Sequence, residues 1–394
     1  MAGYLIALGK KNIESLHKCA SRGVYSTIVS APSIYKSGGG YWNTPQEGTF
    51  CDYATMEEGD NVFFFIDRVI YGIGRLCDIA GQDCKFSNYP GACEPTRHTY
   101  KSKKTLMLLD EPWKKGKTQR WVCTFEPDPY FFKEGVDMDD ALFSKPEAFN
   151  MIRVFSGVSF IKLGDEENQA LKDVLLRHNQ KAITNPKPGI NVYNKEYAAV
   201  HKSIAKKIGT KDYSLDVKPL LSTIYENGRI GHEMAIEAAL LSQLSGGYQP
   251  TIDVFGEWDY ITHQVVASPF KPIQYVDKMD IFGYSYIAGY DPTKSRYLVI
   301  ELKKGKALID DLEQLMKYVD WVKDIYCHGD YSMIEASLVA SNISQDVVDF
   351  ARTKAIRRYI VGRRPPKSDQ WDKVKLIKYS YNEANSLLDF IPVK

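Results

Sequence analysis

Residues 297–306, YLVIELKKGK, change from apolar to charged without a break. The apolar run 297–300 predicts a buried β-strand that continues into Glu301 and Lys303. Side chains two apart on a strand point to the same face. The end of this strand is therefore predicted to hold a carboxylate beside an ammonium group.

A second strand is predicted to begin upstream, near Met279, with Asp280 close to its start. The turn-forming residues YDPTKSR at 290–296 separate the two strands, which predicts a hairpin that brings Asp280 beside Glu301. Two neighbouring carboxylates repel each other unless a cation lies between them, and their oxygen atoms suit Mg²⁺. Lys303 would then orient or deprotonate a water, or neutralise charge that develops on a phosphate.

Helical patterns flank these strands on both sides. The segment 231–244, GHEMAIEAALLSQL, predicts a helix that carries Glu233 and Glu237 on one face, because side chains four apart are neighbours on a helix. The segment 307–324, ALIDDLEQLMKYVDWVKD, predicts a second helix that carries Gln314 and Tyr318 four apart.

This order of motifs resembles the NucS-like (EndoMS-type) nucleases of the PD-(D/E)xK superfamily. The signature runs from a helix glutamate to a strand aspartate, a V-I-E-x-K strand and a Q-L-x-x-Y helix. The resemblance covers about residues 228–350, and it departs from the signature at Met279, where a proline is usual, and in a longer hairpin. It implies these catalytic residues: Asp280, Glu301, Lys303, Gln314 and Tyr318. It implies Mg²⁺, with Mn²⁺ able to substitute, on Asp280, Glu301 and Glu233, and Glu237 is the alternative helix carboxylate.

The first half of the chain is rich in aromatic residues and strand patterns. Its opening, YLIALGKKNIESLHKCASRGVYST at 4–27, predicts a strand, a helix and a second strand. It resembles YTH domains and the related EVE domains of the PUA-like superfamily, which implies a β-barrel with helices. In that resemblance Tyr25 replaces a tryptophan that forms one wall of a methylated-base cage, Ser26 follows it, and Asn12 matches a residue that contacts the base edge.

Two further segments supply aromatic candidates for a base pocket. The segment 112–129, PWKKGKTQRWVCTFEPDP, resembles the YTH segment with two tryptophans, so Trp113 would be a cage wall and Trp121 a scaffold residue. Trp42 lies in the predicted loop GGGYWNTP and is a further candidate for base binding. A flipped nucleobase needs flat walls to stack on and polar atoms at its edge. The alternative is that these aromatic residues pack the core of a barrel.

Length and composition indicate a soluble, cytoplasmic protein of 394 residues. The strand and helix patterns, with the two resemblances, imply an α/β (α+β) fold. We expect a base-reading domain over 1–180, a linker with a helix over 181–215, and a nuclease domain over 216–394 with a mixed sheet between helices. Neither a signal peptide nor a membrane span is evident. The net charge of +2 says little about partners, but residues 352–378 hold ten Lys or Arg against two Asp. Phosphate contacts are predicted for four arginines there: Arg357, Arg358, Arg363 and Arg364. The alternative is a solvated charged face.

Together these patterns predict a modification-dependent restriction endonuclease. One domain would flip a methylated or hydroxymethylated base out of double-stranded DNA, and the other would hydrolyse a phosphodiester bond nearby. Cutting both strands with one metal site per chain favours a homodimer, and we expect no membrane partner. Two alternatives remain: a repair endonuclease that acts on mismatched or branched DNA, and a non-catalytic nucleic-acid-binding adaptor.

Overall fold

The computed structural model describes residues 1–9, 12–113, 116–127, 129–155, 158–226, 228–268 and 276–393, without the side chain of Arg363. The chain divides into two compact units, Met1–Asp216 and Val217–Lys394. Both combine helices with sheets, which confirms the expected α+β class. No helix in the described ranges is long and apolar enough to cross a membrane.

The first unit is built around a curled sheet. Its strands are β1 (Gly3–Ala7), β2 (Val24–Ser30), β3 (Ser33–Ile34), β4 (Gly40–Tyr41), β5 (Asn61–Ile66), β6 (Val69–Leu76), β7 (Lys85–Ser87), β8 (Lys117–Glu126), β9 (Val136–Asp137) and β10 (Phe160–Leu163). Its helices are α1 (Ile13–Arg22), α2 (Thr44–Ala54), α3 (Tyr100–Lys103), α4 (Met138–Ser144), α5 (Asp165–His178), α6 (Gln180–Thr184) and α7 (Tyr197–Ile208).

The curled sheet has the order β10-β1-β5-β6-β8-β2, with β7 added to β8 and β9 added to β6. The pair β1–β5 is parallel, and the other pairs along this order are antiparallel. Gly23 ends α1 with a φ of 61°. A Cβ there would lie 2.4 Å from the carbonyl oxygen of Phe125, so only glycine permits the tight passage from α1 into β2.

The segment expected to be a linker, residues 181–215, lies within the first unit. Its helix α7 places Ile204 and Ile208 in an apolar cluster with Val24 and Val122 of the sheet. A linker would leave these side chains in water, and their burial favours attachment to the sheet. The division between the units therefore falls at residues 216 and 217.

The second unit contains the segments that carry the candidate nuclease residues. Its strands are β11 (Tyr225–Glu226), β12 (Arg229–Ile230), β13 (Tyr260–Val266), β14 (Lys278–Tyr286), β15 (Lys294–Lys306), β16 (Ile334–Asn342), β17 (Arg357–Arg363), β18 (Pro366–Trp371), β19 (Val374–Asn382) and β20 (Leu387–Pro392). Its helices are α8 (Lys218–Ile224), α9 (Glu233–Ser245), α10 (Gln249–Phe255), α11 (Ile309–Ile325) and α12 (Gln345–Lys354).

A six-stranded mixed sheet forms the centre of this unit, with the order β13-β14-β15-β16-β19-β20. The hairpin predicted from the turn residues is present as the antiparallel pair β14–β15. Strand β16 runs parallel to β15, and α11 connects the two. The helices predicted on either side of the hairpin are α9 and α11, and both pack on β15. The mixed sheet and its flanking helices are thus as predicted.

Candidate active site

The hairpin β14–β15 places Asp280 and Glu301 side by side on neighbouring strands. In this antiparallel pair Ile281 lies opposite Ile300, so Asp280 lies opposite Glu301 at the next position. The Asp280 side chain turns toward β15, where its Oδ2 accepts a hydrogen bond of 2.7 Å from the backbone N–H of Leu302. This bond fixes the carboxylate against the strand that carries Glu301.

Glu301 and Lys303 form the predicted pair on the face of β15. The Nζ of Lys303 donates to the Oε1 of Glu301 at 2.5 Å, and it lies 3.9 Å from the Oδ1 of Asp311 at the start of α11. Glu301 is only 1% exposed. Its second oxygen, Oε2, is buried and has no hydrogen-bond partner among the described residues. A buried carboxylate oxygen without a partner is costly, so this atom is available to a ligand.

The electrostatics of the pair show an excess of negative charge. Burial raises the pKa of Asp280, and the charges of Glu301 and Glu237 raise it further. Burial also raises the pKa of Glu301, even though the hydrogen bond and charge of Lys303 oppose the shift. Burial alone would lower the pKa of Lys303, but the hydrogen bond and the charge of Glu301 raise it, and the net shift is upward. One ammonium group therefore does not neutralise the carboxylates around it, and a bound cation would.

Gln264 on β13 joins the site, and its role was not anticipated from the sequence. Its Nε2 donates to both carboxylate oxygens of Glu237, at 3.1 and 3.3 Å, and lies 3.4 Å from the Oδ1 of Asp280. The backbone of Gln264 has a φ of 53°, which is a strained conformation for glutamine. Such strain persists where surrounding structure enforces it, and it is frequent at functional sites.

The two helix glutamates have different environments. Glu237 is buried, contacts Gln264, and lies 3.4 Å from the Nδ1 of His263. Glu233 is half-buried at the first turn of α9, and its Oε1 accepts a hydrogen bond of 3.2 Å from the backbone N–H of Lys304. Its charge is close enough to raise the pKa of Glu301. Both carboxylates thus border the site, Glu237 on the Asp280 side and Glu233 on the Glu301 side.

The helix α11 contributes Gln314 and Tyr318, which contact each other. The Nε2 of Gln314 donates to the Tyr318 hydroxyl at 2.7 Å, as the four-residue spacing allows. Burial raises the pKa of Tyr318 to about 12, and the nearby charges of Glu301 and Asp280 add to the shift. The hydroxyl therefore stays protonated near neutral pH and can donate a hydrogen bond toward the carboxylates.

The donor set fits a hard cation such as Mg²⁺ through two protein carboxylates. Within the described ranges, no cluster of three or more histidine, cysteine or carboxylate side chains is arranged to hold a metal ion. The expected set of three ligands that includes Glu233 is therefore not assembled. Mg²⁺ commonly binds one or two carboxylates and completes its shell with water and substrate phosphate. Asp280 and the unpartnered Oε2 of Glu301 match that requirement.

The arginines predicted to contact phosphate divide into different roles. Arg357 makes two hydrogen bonds, of 2.8 and 2.9 Å, to the carboxylate of Asp320, so it is a structural residue and the phosphate assignment is corrected. Arg358 and Arg364 are exposed. The side chain of Arg363 lies outside the described residues.

Three of the five predicted base-binding residues border one cavity in the first unit. Asn12, Tyr25 and Ser26 line a cavity of about 380 Å³. Its wall also includes Glu111 and Gln119. The Nε2 of Gln119 donates to Glu111 at 3.2 Å, whereas the Oε1 of Gln119 is buried without a partner among the described residues. The cavity is therefore lined by polar as well as apolar side chains, and one of its lining residues, Gln119, has an unsatisfied hydrogen-bond acceptor.

An aromatic cage is not assembled within the described part of the chain. Trp42 is 1% exposed, packs edge to face on Trp121 and donates its Nε1 to the carbonyl of Cys93 at 2.8 Å. Its assignment to base binding is corrected, because a base cannot stack on a ring held in the core. Tyr25 is also buried and packs edgewise on Phe64 and Phe160.

Trp113 and Ser26 have separate environments. Trp113 lines a second cavity, of about 490 Å³, and contacts the rings of Tyr89 and Tyr100. Ser26 donates its hydroxyl to the carbonyl of Trp121 at 2.6 Å. Sequence analysis did not predict Gln119, on β8, or Glu111, in the segment before β8, because their contact depends on the tertiary structure.

Comparisons with known proteins add little to this geometry. No protein-family model matches the chain, and no curated protein does. Among solved structures, the chain is similar to a repair endonuclease from Pyrococcus abyssi, with 26% identity and a TM-score of 0.16. The match covers 22% of this chain and 32% of that protein, so the chain spans about a third of the length of that structure. A likeness this limited defines neither the fold nor the activity of this chain.

Proposed function

We propose that the second unit is a Mg²⁺-dependent endonuclease that hydrolyses phosphodiester bonds of DNA. The observation that carries the proposal is the pair of neighbouring carboxylates, the half-buried Asp280 and the buried Glu301, with Lys303 at 2.5 Å from Glu301. Bound Mg²⁺ would supply Lewis-acid activation of the phosphate and a lowered pKa for a water. The two carboxylates would hold it.

The other residues of the site act around the reacting phosphate. The ammonium group of Lys303, held by Glu301, places positive charge where charge develops on the phosphate. Tyr318, oriented by Gln314, donates a hydrogen bond to a water or phosphate oxygen. The Nε2 of Gln264 donates hydrogen bonds to the carboxylates of both Glu237 and Asp280 and holds them in place, so Gln264 is a positioning residue.

For the first unit, we propose that the cavity beside Asn12 accepts a modified base from double-stranded DNA. A volume of about 380 Å³ lies within the usual range for ligand sites. The unpartnered Oε1 of Gln119 would accept a hydrogen bond from an amino group of the base. Recognition would thus rest on polar contacts at the base edge more than on stacking. The two units together would form a modification-dependent endonuclease acting as a homodimer.

The decisive experiment digests matched duplexes that are unmodified, N6-methylated on adenine, 5-methylated on cytosine, or hydroxymethylated, with Mg²⁺ or Mn²⁺. We expect cleavage of a modified duplex by the wild-type protein and none by Glu301→Gln. Asp372→Asn, which changes an exposed acid of the same unit, is the matched control and should cut normally. Cleavage by Glu301→Gln at the wild-type rate would show that the metal site lies elsewhere.

The same experiment, extended to mismatched and branched duplexes, separates the alternatives. Equal cleavage of all four duplexes, with preferential cutting of mismatched or branched DNA, would favour a repair endonuclease. Binding of DNA without cleavage in either metal would favour a non-catalytic adaptor. The buried, partly unpaired carboxylates speak against the adaptor, because a protein without a cation partner gains nothing from their repulsion.

A further inference from the structure

The strands β17 and β18 form a two-stranded ribbon of their own, outside the six-stranded sheet. Its base is fixed to the second unit by three residues. Trp371 is buried and donates its Nε1 to the carbonyl of Ile334 at 3.0 Å. Tyr359 packs edgewise on Tyr331, and Arg357 is held by Asp320. An isolated two-stranded ribbon is marginally stable, so these contacts hold it in place.

Beyond this base, the ribbon leaves the core and exposes apolar side chains. Ile360 is 66% exposed and Val361 is 52% exposed. They lie where the register shifts, between the pairs Ile360–Ser368 and Gly362–Lys367, so Val361 is the extra residue of a β-bulge. A bulge increases the local twist of a ribbon. Exposed apolar residues on an open strand invite aggregation unless a partner covers them.

The same part of the ribbon is positively charged. Arg358, Arg364 and Lys367 are exposed, and no salt bridge engages them among the described residues. Asp369 is the one acidic residue in the sequence of the ribbon, 357–371. The cations of the ribbon are complementary in charge to a groove lined with phosphates. Its small apolar centre is complementary to the base edges in that groove, which are partly apolar.

We infer that the β17–β18 ribbon enters the major groove of duplex DNA and holds the substrate for the second unit. The major groove is wide enough to admit a two-stranded ribbon. Arg358, Arg364 and Lys367 would contact the phosphates on its walls, and Ile360 with Val361 would contact base edges such as the thymine methyl group. The choice of DNA as partner rests on the proposed function. A second copy of the ribbon is disfavoured as the partner, because the cations of the two ribbons would repel each other.

Duplex binding, measured by fluorescence anisotropy in chelator at two salt concentrations, tests the inference without requiring cleavage. The first variant is Arg364→Ala with Lys367→Ala. It should weaken duplex binding at least tenfold and lower the slope of log K against log salt by about 1.8, since each phosphate contact contributes about 0.9. The second variant, Ile360→Thr with Val361→Thr, should weaken binding with the slope unchanged, because it removes no charge.

The matched control is Lys202→Ala with Lys206→Ala, two exposed lysines on α7 whose loss gives the same change in net charge. It should bind the duplex as the wild type does. Equal weakening of the control and the first variant would overturn the inference, since overall charge would then explain the effect. It would also be overturned by unchanged binding in both ribbon variants, or by equal losses on single-stranded DNA or RNA, which have no DNA major groove.

Two further outcomes keep this inference distinct from the proposed function. If the wild-type protein binds the duplex through the ribbon but never cleaves it, the endonuclease proposal fails and the ribbon assignment stands. If it cleaves the duplex while the ribbon variants retain wild-type affinity, the ribbon assignment fails alone. Loss of a dimer in the Ile360→Thr, Val361→Thr variant, with DNA binding intact, would identify a second copy as the partner and overturn the inference. Sedimentation velocity measures that state.

Discussion

Replacing Asp280 with asparagine should stabilise the metal-free protein while it abolishes metal-dependent cleavage. Burial and the charges of Glu301 and Glu237 raise the pKa of Asp280, which shows that its negative charge is unfavourable in the folded state. Asparagine has nearly the same shape and keeps an acceptor for the N–H of Leu302, which now lies 2.7 Å from Oδ2. It removes one of the repelling charges and one ligand for the cation.

The size of the effect follows from the charges at the site. Two unit charges about 4 Å apart at an effective dielectric constant of about 20 repel by about 4 kcal/mol. A charged hydrogen bond exceeds a neutral one by roughly 1–2 kcal/mol, which offsets part of the gain. About 2 kcal/mol remains, which corresponds to a rise in Tm of about 4–8 °C for a unit of this size.

Thermal unfolding in chelator measures this change in wild type, in Asp280→Asn and in the exposed control Asp372→Asn. Where folding raises the pKa of a carboxyl group, the folded protein becomes less stable as the pH rises from the ordinary pKa of that group toward the raised one. The advantage of the Asp280→Asn variant should therefore be large at about pH 8 and shrink toward pH 5. Mg²⁺ should raise the Tm of the wild type and of the control, but not of Asp280→Asn. A lower Tm than wild type in chelator at pH 8 would show that Asp280 is a structural residue.

Three further predictions test other parts of the chain. Tyr318→Phe should lower kcat by less than the loss of a metal ligand does, since it removes one hydrogen bond; unfolding of this variant would instead indicate a packing role. Glu167→Gln should flatten the pH dependence of the first unit's stability, which hydrogen exchange measures. Burial raises the pKa of Glu167 to about 7, so the wild type loses stability as the pH rises from about 4.5 to 7. Glu166→Gln, on the exposed face, is the control. Tyr25→Ala should destabilise the first unit by about 3–5 kcal/mol, as for other buried aromatic rings. A stable Tyr25→Ala protein would show that the ring is not part of the core. Asn12→Ala, by contrast, should change only the preference among modified duplexes.

The proximity of Asp280, Glu301 and Lys303 was predictable because it depends on local patterns. The turn at 290–296 defines the hairpin, and the hairpin register then places Asp280 beside Glu301. The two-residue period of a strand places Lys303 on the face of Glu301, where the structure finds it. Each step uses residues close in sequence, where propensity and periodicity carry most of the information.

Other features of the two units depend on contacts that no local pattern encodes. The positive φ of Gln264 has no sequence signal, and its position opposite Asp280 follows only from the pairing of β13 with β14. Trp42 lies in a polar loop sequence, yet it is buried against Trp121 and the carbonyl of Cys93, which are distant along the chain. Tertiary packing thus reversed an expectation based on loop composition.

The second unit distributes its charge in two opposite ways, and the contrast bears on its function. Its carboxylates Asp280, Glu237 and Glu301 lie close together on rigid strands and a helix, whereas the ribbon cations Arg358 and Arg364 are exposed. The carboxylates alone would repel the DNA backbone that we infer the ribbon to bind. A divalent cation held by Asp280 and Glu301 would offset most of this negative charge, so that DNA held by the ribbon, as inferred above, would bring a phosphate to Lys303 with less repulsion. Binding of the cation and of DNA at this site should therefore favour each other, since each lowers the repulsion that the other experiences.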